Sequence, residues 1–545
     1  MFPWPALAAA RATCSSSRDA PVGRLSTPTT EAPALHTILP ATADRIPHDT
    51  SSAFAASRDR FERIVGWLEG PQAGRLAHGE LEERSDVGGR ELLRQMLQDH
   101  LDVRAQREPR LEAVVGADGM ARGSVAAGHG RGLLTMFGKV EVARLAYRRR
   151  GHANLHPADA VLNLPVELHA HGLRRLAVPE GTRGSFDDVR EAVRWRTGQR
   201  PGKRQLETLV QRASDDFDAF YAERKLIDSH PDDVLVISCD GKGVVMRPDA
   251  LRPATAQAAA RSTTKLATRL SKGEKRDRKR VAEVGSVYDT APVPRTPDDI
   301  MPAADDRDRK PAPTAHNKWL VASVVEDAAA VVSRVFDEAE RRDPDHRRTW
   351  IALVDGNNHQ IDRIQAEARA RQVDVTIVVD YVHVLEYLWK AAWCFYDEGD
   401  PDAERWVRAR ARAVLKGQAA GVAGAIRRKA ARERLDRSVQ STIDECAGYL
   451  VRKRPYLDYP TALERGWPIA TGVIEGACRH PVKDRMDITG ARWGLDGAEA
   501  VLKMRAIVSN HDFEEYWRYH LAHEHERVHR SRYADATSRH LTLVA

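Results

Sequence analysis

Three acidic residues sit in distinctive local settings. They are Asp240 in Cys239-Asp240-Gly241-Lys242-Gly243, Asp355 in Val354-Asp355-Gly356-Asn357-Asn358-His359, and Glu475 in Gly472-Val473-Ile474-Glu475-Gly476-Ala477-Cys478-Arg479. The first two each close an apolar run, Val234 to Ser238 and Ile351 to Val354. Each therefore reads as an acid at the C-terminal tip of a buried strand, where open α/β sheets place their chemistry. Three carboxylates meeting at one point would hold a pair of hard divalent cations, the arrangement that cuts and transfers phosphodiester bonds. Plainer readings exist for each. Asp-Gly is a common turn dipeptide, and Glu475 can pair with Arg479 one helical turn on. Lys242, two residues past Asp240, alternates back to the same strand face and is placed to touch a phosphate, as is Arg479.

The chain has 545 residues, room for two to four domains and a large core. Its 85 basic and 78 acidic residues give 85 − 78 = +7, which is weak evidence by itself for a polyanionic partner. Distribution matters more. Arg261 to Arg280 carries nine basic residues against Glu274 and Asp277, and reads either as a solvated loop or as a phosphate-contacting segment. Five scattered cysteines without a C-x-x-C pair argue against a disulfide framework and a cysteine-rich zinc site, and fit a reducing cytosol. No apolar run reaches the length of about 18 residues that a membrane span needs. Met1 to Ala10 is apolar but lacks the preceding basic region of a signal peptide.

The elements that must position the acids follow from periodicity. Residues 1–50, rich in Pro, Ala, Ser and Thr, read as a disordered tail. Residues 51–108 read as helices, with Phe61, Ile64, Val65 and Leu68 on one face and Leu92, Leu93, Met96 and Leu97 on another. Residues 109–165 read as a small β region. Residues 166–230 are helical again: Ser185 caps Phe186 to Arg196, and after a glycine turn a helix runs from Lys203 to Phe220. That pair, entered by Lys203 and Arg204, resembles a helix-turn-helix, though any αα-hairpin looks similar. Residues 231–396 predict an α/β core with strands Val234–Cys239, Val281–Tyr288, Trp319–Val325, Trp350–Val354 and Val373–Val379 and helices at 326–341, 358–371 and 381–396. A basic helical segment fills 397–465, the Glu475 helix lies in 466–530, and a tail occupies 531–545.

Three strands, a helix, a strand, a helix and a fifth strand, with acids ending strands one and four, resemble the ribonuclease-H-like core of DDE transposases. In that fold the first and fourth strands are neighbours, so acids 355 − 240 = 115 residues apart would sit side by side. Asp380-Tyr381-Val382-His383 follows the fifth strand and resembles the [C/D]-x-x-H signature of Mutator-like transposases. The gap of 475 − 383 = 92 residues to Glu475 is similar to the helical insertion those enzymes carry. Asp240-Gly-Lys-Gly-Val-Val-Met, Val354-Asp-Gly-Asn-Asn-His-Gln-Ile, His383-Val-Leu-Glu-Tyr-Leu-Trp, Gly472-Val-Ile-Glu-Gly-Ala-Cys-Arg-His and Asp487-Ile-Thr-Gly-Ala-Arg-Trp, in that order, resemble the ISKra-type insertion-sequence transposases of bacteria over about residues 55–530.

That resemblance implies an α/β ribonuclease-H-like mixed sheet with an all-helical insertion, preceded by a mixed helical and small β DNA-binding region. It implies that Asp240, Asp355 and Glu475 hold two Mg²⁺, with Mn²⁺ able to substitute, and that Asp380 and His383 act at the same site. The partners implied are double-stranded DNA, as terminal repeats and target, and further copies of the chain, in a bacterial cytoplasm at the nucleoid. A silenced DNA-binding derivative and a structure-specific nuclease on the same fold are the alternatives. Asp380 also reads as a plain N-cap, with His383 in a first helical turn whose positive end disfavours its protonation. Pro481 would break an intrahelical bond beyond Glu475. Arg492 and Trp493, in Gly490-Ala491-Arg492-Trp493-Gly494, read as a DNA-contacting pair with Trp493 stacking on a base. His525-Glu526-Arg527-Val528-His529 spells the zinc-peptidase H-E-x-x-H, but in a tail dense in His, Glu and Arg.

Overall fold

The computed structural model describes residues 53–225, 229–261, 278–302, 310–488 and 490–534. The tail reading of residues 1–50 and most of the basic segment Arg261 to Arg280 lie outside the described residues. Two compact units emerge. The first comprises the chain up to Arg174 with Val193–Arg200 and the segment from Leu521; the second comprises Arg175–Ala192 and Pro201–His520. Among the described residues no helix is long and apolar enough to cross a membrane.

In the first unit, helices Ala55–Glu69 and His78–Gln106 accompany an antiparallel hairpin, Ser124–Leu134 with Lys139–Arg148. The long helix turns Leu97 and Leu101, one turn apart, toward a core of Leu133, Val140, Val142 and Leu164. Phe61, Leu68, Leu93 and Met96, expected on buried faces, are exposed instead.

The second unit is built on a mixed five-stranded sheet. Its strands are β1 (Val234–Val245), β2 (Lys279–Thr290), β3 (His316–Ser323), β4 (Trp350–Val354) and β5 (Val375–Val379), in spatial order β3-β2-β1-β4-β5. β2 runs antiparallel to both β1 and β3, while β1, β4 and β5 are mutually parallel. Strands buried on both faces read as unbroken apolar runs, and Trp350 to Val354 is buried throughout. Helix α1 (Ala328–Arg342) lays Val331, Val335 and Phe336 on the sheet. Its close approach needs Gly285 in β2, where a Cβ would stand 2.4 Å from the Val335 side chain. Helices α2 (Asn358–Arg371) and α3 (Tyr381–Ala392) begin just after the tips of β4 and β5.

Two expected boundaries move. β1 does not stop at Cys239; it continues to Val245, because Gly241 to Val245 keep pairing with β2. The helix expected from Lys203 to Phe220 is two, Lys203–Ala213 and Phe217–Glu223. Ser214 ends the first by donating its hydroxyl to the Gln211 carbonyl at 2.7 Å, a local bond that competes with helix continuation. Ser185 does cap: its Oγ accepts from the Asp188 amide at 3.2 Å and Asp188 Oδ2 returns to the Ser185 amide at 2.9 Å.

The basic segment folds as α4 (Pro401–Leu415), α5 (Ala419–Glu433) and α6 (Arg437–Arg452). Beyond it come α7 (Gly472–Ala477), a π-helical turn over Cys478–Lys483, and α8 (Leu495–Ser509). The π-turn absorbs Pro481, whose missing N–H would otherwise break an α-helical ladder. Arg505 of α8 then donates to the carbonyls of His480 and Pro481.

The sheet edge away from the acids is tied by Asp289 of β2, which is fully buried. It accepts from Arg348 at 2.7 Å, Ser229 at 2.8 Å and Asn317 at 3.1 Å, with Arg342 at 3.5 Å. Burial raises its pKa, but the two arginines and these donors outweigh burial and hold it below the usual carboxylate range. Removing one member of such a set leaves buried charge uncompensated. Asp289→Ala is expected to cost about 3–5 kcal/mol in denaturant unfolding; a loss under about 1 kcal/mol would contradict this role.

Candidate active site

The register of the parallel strands sets the site. Ser238 pairs with Leu353 and Val354 with Val379. Carried on, the same offsets (353 − 238 = 355 − 240 = 115, and 379 − 354 = 380 − 355 = 25) place Asp240, Asp355 and Asp380 on one rung of three neighbouring strands. The Asp380 amide continues the ladder by donating to the Val354 carbonyl at 2.7 Å. Asp240 is not the end of its strand, yet it lies beyond the last parallel pair, so its carboxylate meets the same open edge.

Each acid is held by short-range contacts. Asp240 Oδ1 accepts from the Gly241 amide at 2.6 Å, and Oδ2 accepts from the Cys478 thiol at 3.1 Å. Burial, then the nearby Asp240, push the Cys478 thiol well above its ordinary pKa, so it remains a donor. This contact ties the Glu475 segment to β1. Asp355 Oδ1 accepts from the Asn357 amide at 2.7 Å, and its carbonyl accepts from Tyr449 of α6 at 3.2 Å. Gly356 between them has φ +93°, and a Cβ there would stand 2.8 Å from the Tyr449 hydroxyl, so this turn accepts only glycine. Lys453, buried at the end of α6, donates to Asn358, and burial lowers its pKa while Asp355 pulls it back.

Asp380, His383 and Glu475 bring ligand atoms within 4.8 Å of one another, and among the described residues this is the one group with that spacing. Glu475, expected beside Asp240 and Asp355, thus also has Asp380 and His383 as near neighbours. Asp380 is fully buried. Its Oδ1 caps α3 by accepting from the Val382 amide at 2.8 Å, and its Oδ2 accepts from Thr471. Thr471 Oγ1 also lies 3.4 Å from Glu475 Oε1. A hydroxyl has one proton, so the shorter contact, to Asp380, takes it. Burial raises the Glu475 pKa, as does Asp380, while His383 opposes both.

His383 corrects the expectation of a neutral imidazole. Its Nδ1 lies 3.6 Å from Asp380 Oδ2, long for a hydrogen bond and within reach of an ion pair. Asp380 raises its pKa to about 9 against the opposing effect of burial, with help from Glu386 and Asp355. The carboxylates outweigh the positive end of α3 because they are full charges at closer range.

The remaining expected residues divide. Lys242, Arg479, Arg204 and Arg492 are exposed. Lys203 is paired with Asp187 at 2.8 Å. Trp493 is not available to stack on a base. It is 7% exposed, donates Nε1–H to the Met486 carbonyl at 3.0 Å, and its backbone pairs with the end of β1 at Val245 and Arg247. The H-E-x-x-H histidines are structural: His525 Nε2 lies 3.1 Å from the Ala160 carbonyl and His529 Nε2 lies 2.9 Å from that of Leu164. Each spends a ring N–H on a backbone acceptor, and burial pushes His529 down to about 4. Thr471, Tyr449, Lys453 and Cys478 were not singled out as site residues. Only Cys478 had a signal, its place three residues after Glu475.

No family model matches this chain, and no curated protein matches it significantly.

Because the folded value of His383 lies above that of a free imidazole, the stability its ion pair adds is complete below about pH 6.5 and fades as pH rises through about 9. In metal-free buffer, His383→Gln is therefore expected to lower Tm more at pH 6 than at pH 9.5. An equal loss at both values would contradict the ion pair.

Proposed function

We propose that the chain is a DNA transposase of the DDE type, with a ribonuclease-H-like catalytic core, a helical insertion formed by α4 to α6, and a DNA-binding region before residue 231. The observation that carries this reading is the parallel register of β1 with β4, whose last pair, Ser238 with Leu353, lies two residues before Asp240 and Asp355, with the Glu475 segment tied to Asp240 through Cys478. The sheet order, three antiparallel strands followed by two parallel ones, supports it, as do the five sequence motifs in order.

The donor set fits hard divalent ions. Asp240 and Asp355 are partly exposed carboxylates, each with lone pairs beyond those its amide and thiol contacts use. Asp240, Asp355 and Glu475 would hold two Mg²⁺ or Mn²⁺. Bound there, the ions would supply a lowered water pKa and charge stabilisation for the attacking and leaving oxygens. The chain's own residues do the positioning. Tyr449 and Gly356 fix the Asp355 turn, and the Cys478 thiol orients Asp240. Asp380 holds Thr471 and His383, and both lie near Glu475, which gives the Asp-x-x-His pair the role of a bracket for the third carboxylate. The His383 imidazolium relieves repulsion among the acids. Lys242 and Arg479, both exposed near these acids, would meet the phosphates of a bound strand. The substrate would be double-stranded DNA at the element's terminal repeats and then a target duplex, in a bacterial cytoplasm. Holding two ends together calls for a homo-oligomer.

Incubation with Mg²⁺ or Mn²⁺ and DNA carrying both flanks of the gene should give specific 3′-hydroxyl ends and joining to a target duplex, and Asp355→Asn should abolish both while binding persists. Cutting without preference for any repeat and without joining would favour a structure-specific nuclease. Binding with no cutting by the unaltered protein would favour a silenced derivative. The bracket has its own test. Thr471→Val should raise the Mn²⁺ concentration at half-maximal binding roughly tenfold, the order expected for a residue supporting a metal ligand, and Thr471→Ser should restore it. Unchanged Mn²⁺ binding in Thr471→Val would remove Thr471 from the site.

A further inference from the structure

A second constellation lies within the same unit, at the far end of β1. Val245 lies five residues after Asp240, about 17 Å along an extended strand. There the backbone of Trp493 joins the sheet, and a cleft of about 420 Å³ opens beside it. The charged residues lining it are Lys203, Arg247, Arg485 and Arg492, against Asp187 and Glu207. Four cations against two anions leave a balance of +2, and Asp187 is already paired with Lys203.

Arg485 is the unusual member. It is 3% exposed, and its Nε donates to the Gly181 carbonyl at 3.0 Å. Its guanidinium is held by two rings, 4.7 Å from the centre of Trp493 and 5.3 Å from that of Phe186. Among the described residues its Nη2 has no hydrogen-bond partner. Among the described residues no ion pair compensates the charge: the carboxylate that acts on it from nearby, Asp188, bonds to Ser185 instead, and Arg505 repels it. Burial accordingly pushes Arg485 down to about 10. A buried cation with one donor nitrogen left without an acceptor is costly, and an anion in the cleft that Arg485 lines would supply one. Planar donors stacked on rings, backed by further cations at the rim, are suited to a phosphate group. The buried Trp493 thus gains a role: its ring packs against the Arg485 guanidinium.

We infer that this cleft is a phosphate-binding site, with Arg485 at its base and Arg247, Arg492 and Lys203 at its rim. A phosphodiester of duplex DNA and a free phosphate ion carry the same chemistry here, and the inference does not depend on the catalytic reading. The test uses the full-length chain bearing Asp355→Asn, so that no DNA is cut. Its binding to a 30-base-pair duplex is followed by fluorescence anisotropy across a salt series, and its binding to inorganic phosphate by calorimetry. The variants are Arg485→Met and, should that one fail to fold, the rim pair Arg247→Gln with Arg492→Gln. If the occupant is DNA backbone, the rim pair should weaken duplex binding about tenfold or more and lower the salt slope by about two. If the occupant is free phosphate, the variants should lose phosphate binding and keep duplex binding. Unchanged binding of both ligands by folded variants would overturn the inference. Phosphate binding here, together with an unaltered chain that nicks no DNA, would keep the inference and discard the catalytic reading.

Discussion

The parallel pairing of β1 with β4 is the constraint on which the rest of the second unit depends. A strand presents its side chains with a period of two, so a slip of one residue would turn Asp240 and Asp355 to opposite faces of the sheet. The antiparallel pairing of β1 with β2 over its whole length helps to hold the register. So do the apolar packing of α1 and the buried Asp289 network at the opposite edge. The same register extends to β5 and puts a third aspartate on the rung. The sheet therefore concentrates negative charge along one edge before any side-chain detail is considered.

Concentrated charge must be compensated, and the surrounding elements do so unevenly. Asp380 is compensated within the protein: a helix amide and a hydroxyl donate to its oxygens, and the His383 ring lies 3.6 Å away as an ion-pair partner. Asp240 and Asp355 receive only one or two donors each and remain partly exposed. That difference separates a carboxylate that positions from carboxylates able to bind something else. The helical insertion contributes through Tyr449 and Lys453, which pack α6 against the Asp355 turn. Its basic outer residues and its acid-supporting inner ones lie on the same three helices.

Much of this was legible in the sequence, because β4 and the starts of β1 and β5 are apolar runs closed by acids, and the 115-residue offset could be proposed before it was seen. What could not be read were contacts between residues far apart in the chain. Thr471 looks like any residue before a helix, and only the fold sets it against Asp380, 91 residues earlier. Tyr449 carries no motif, and its partner is a backbone carbonyl. His383 was misjudged because a helix terminus is visible in sequence, whereas the convergence of Asp380, Asp355 and Glu386 on it is not. Trp493 was misjudged because a glycine-flanked tryptophan suggests an open loop, and pairing with the end of β1 buries it. Pro481 suggested a broken helix, and a π-turn accommodates it.

The central claim is that Asp240 and Asp355 form one cation-binding edge, with Glu475 as its third wall. Crystals of the protein soaked in Mn²⁺ and examined by anomalous diffraction test this most directly. The account predicts an anomalous peak shared by the carboxylates of Asp240 and Asp355, with Glu475 swung from Thr471 toward the metal. A peak held by Asp380, His383 and Glu475 alone, or no peak at a concentration that saturates binding in solution, would contradict it.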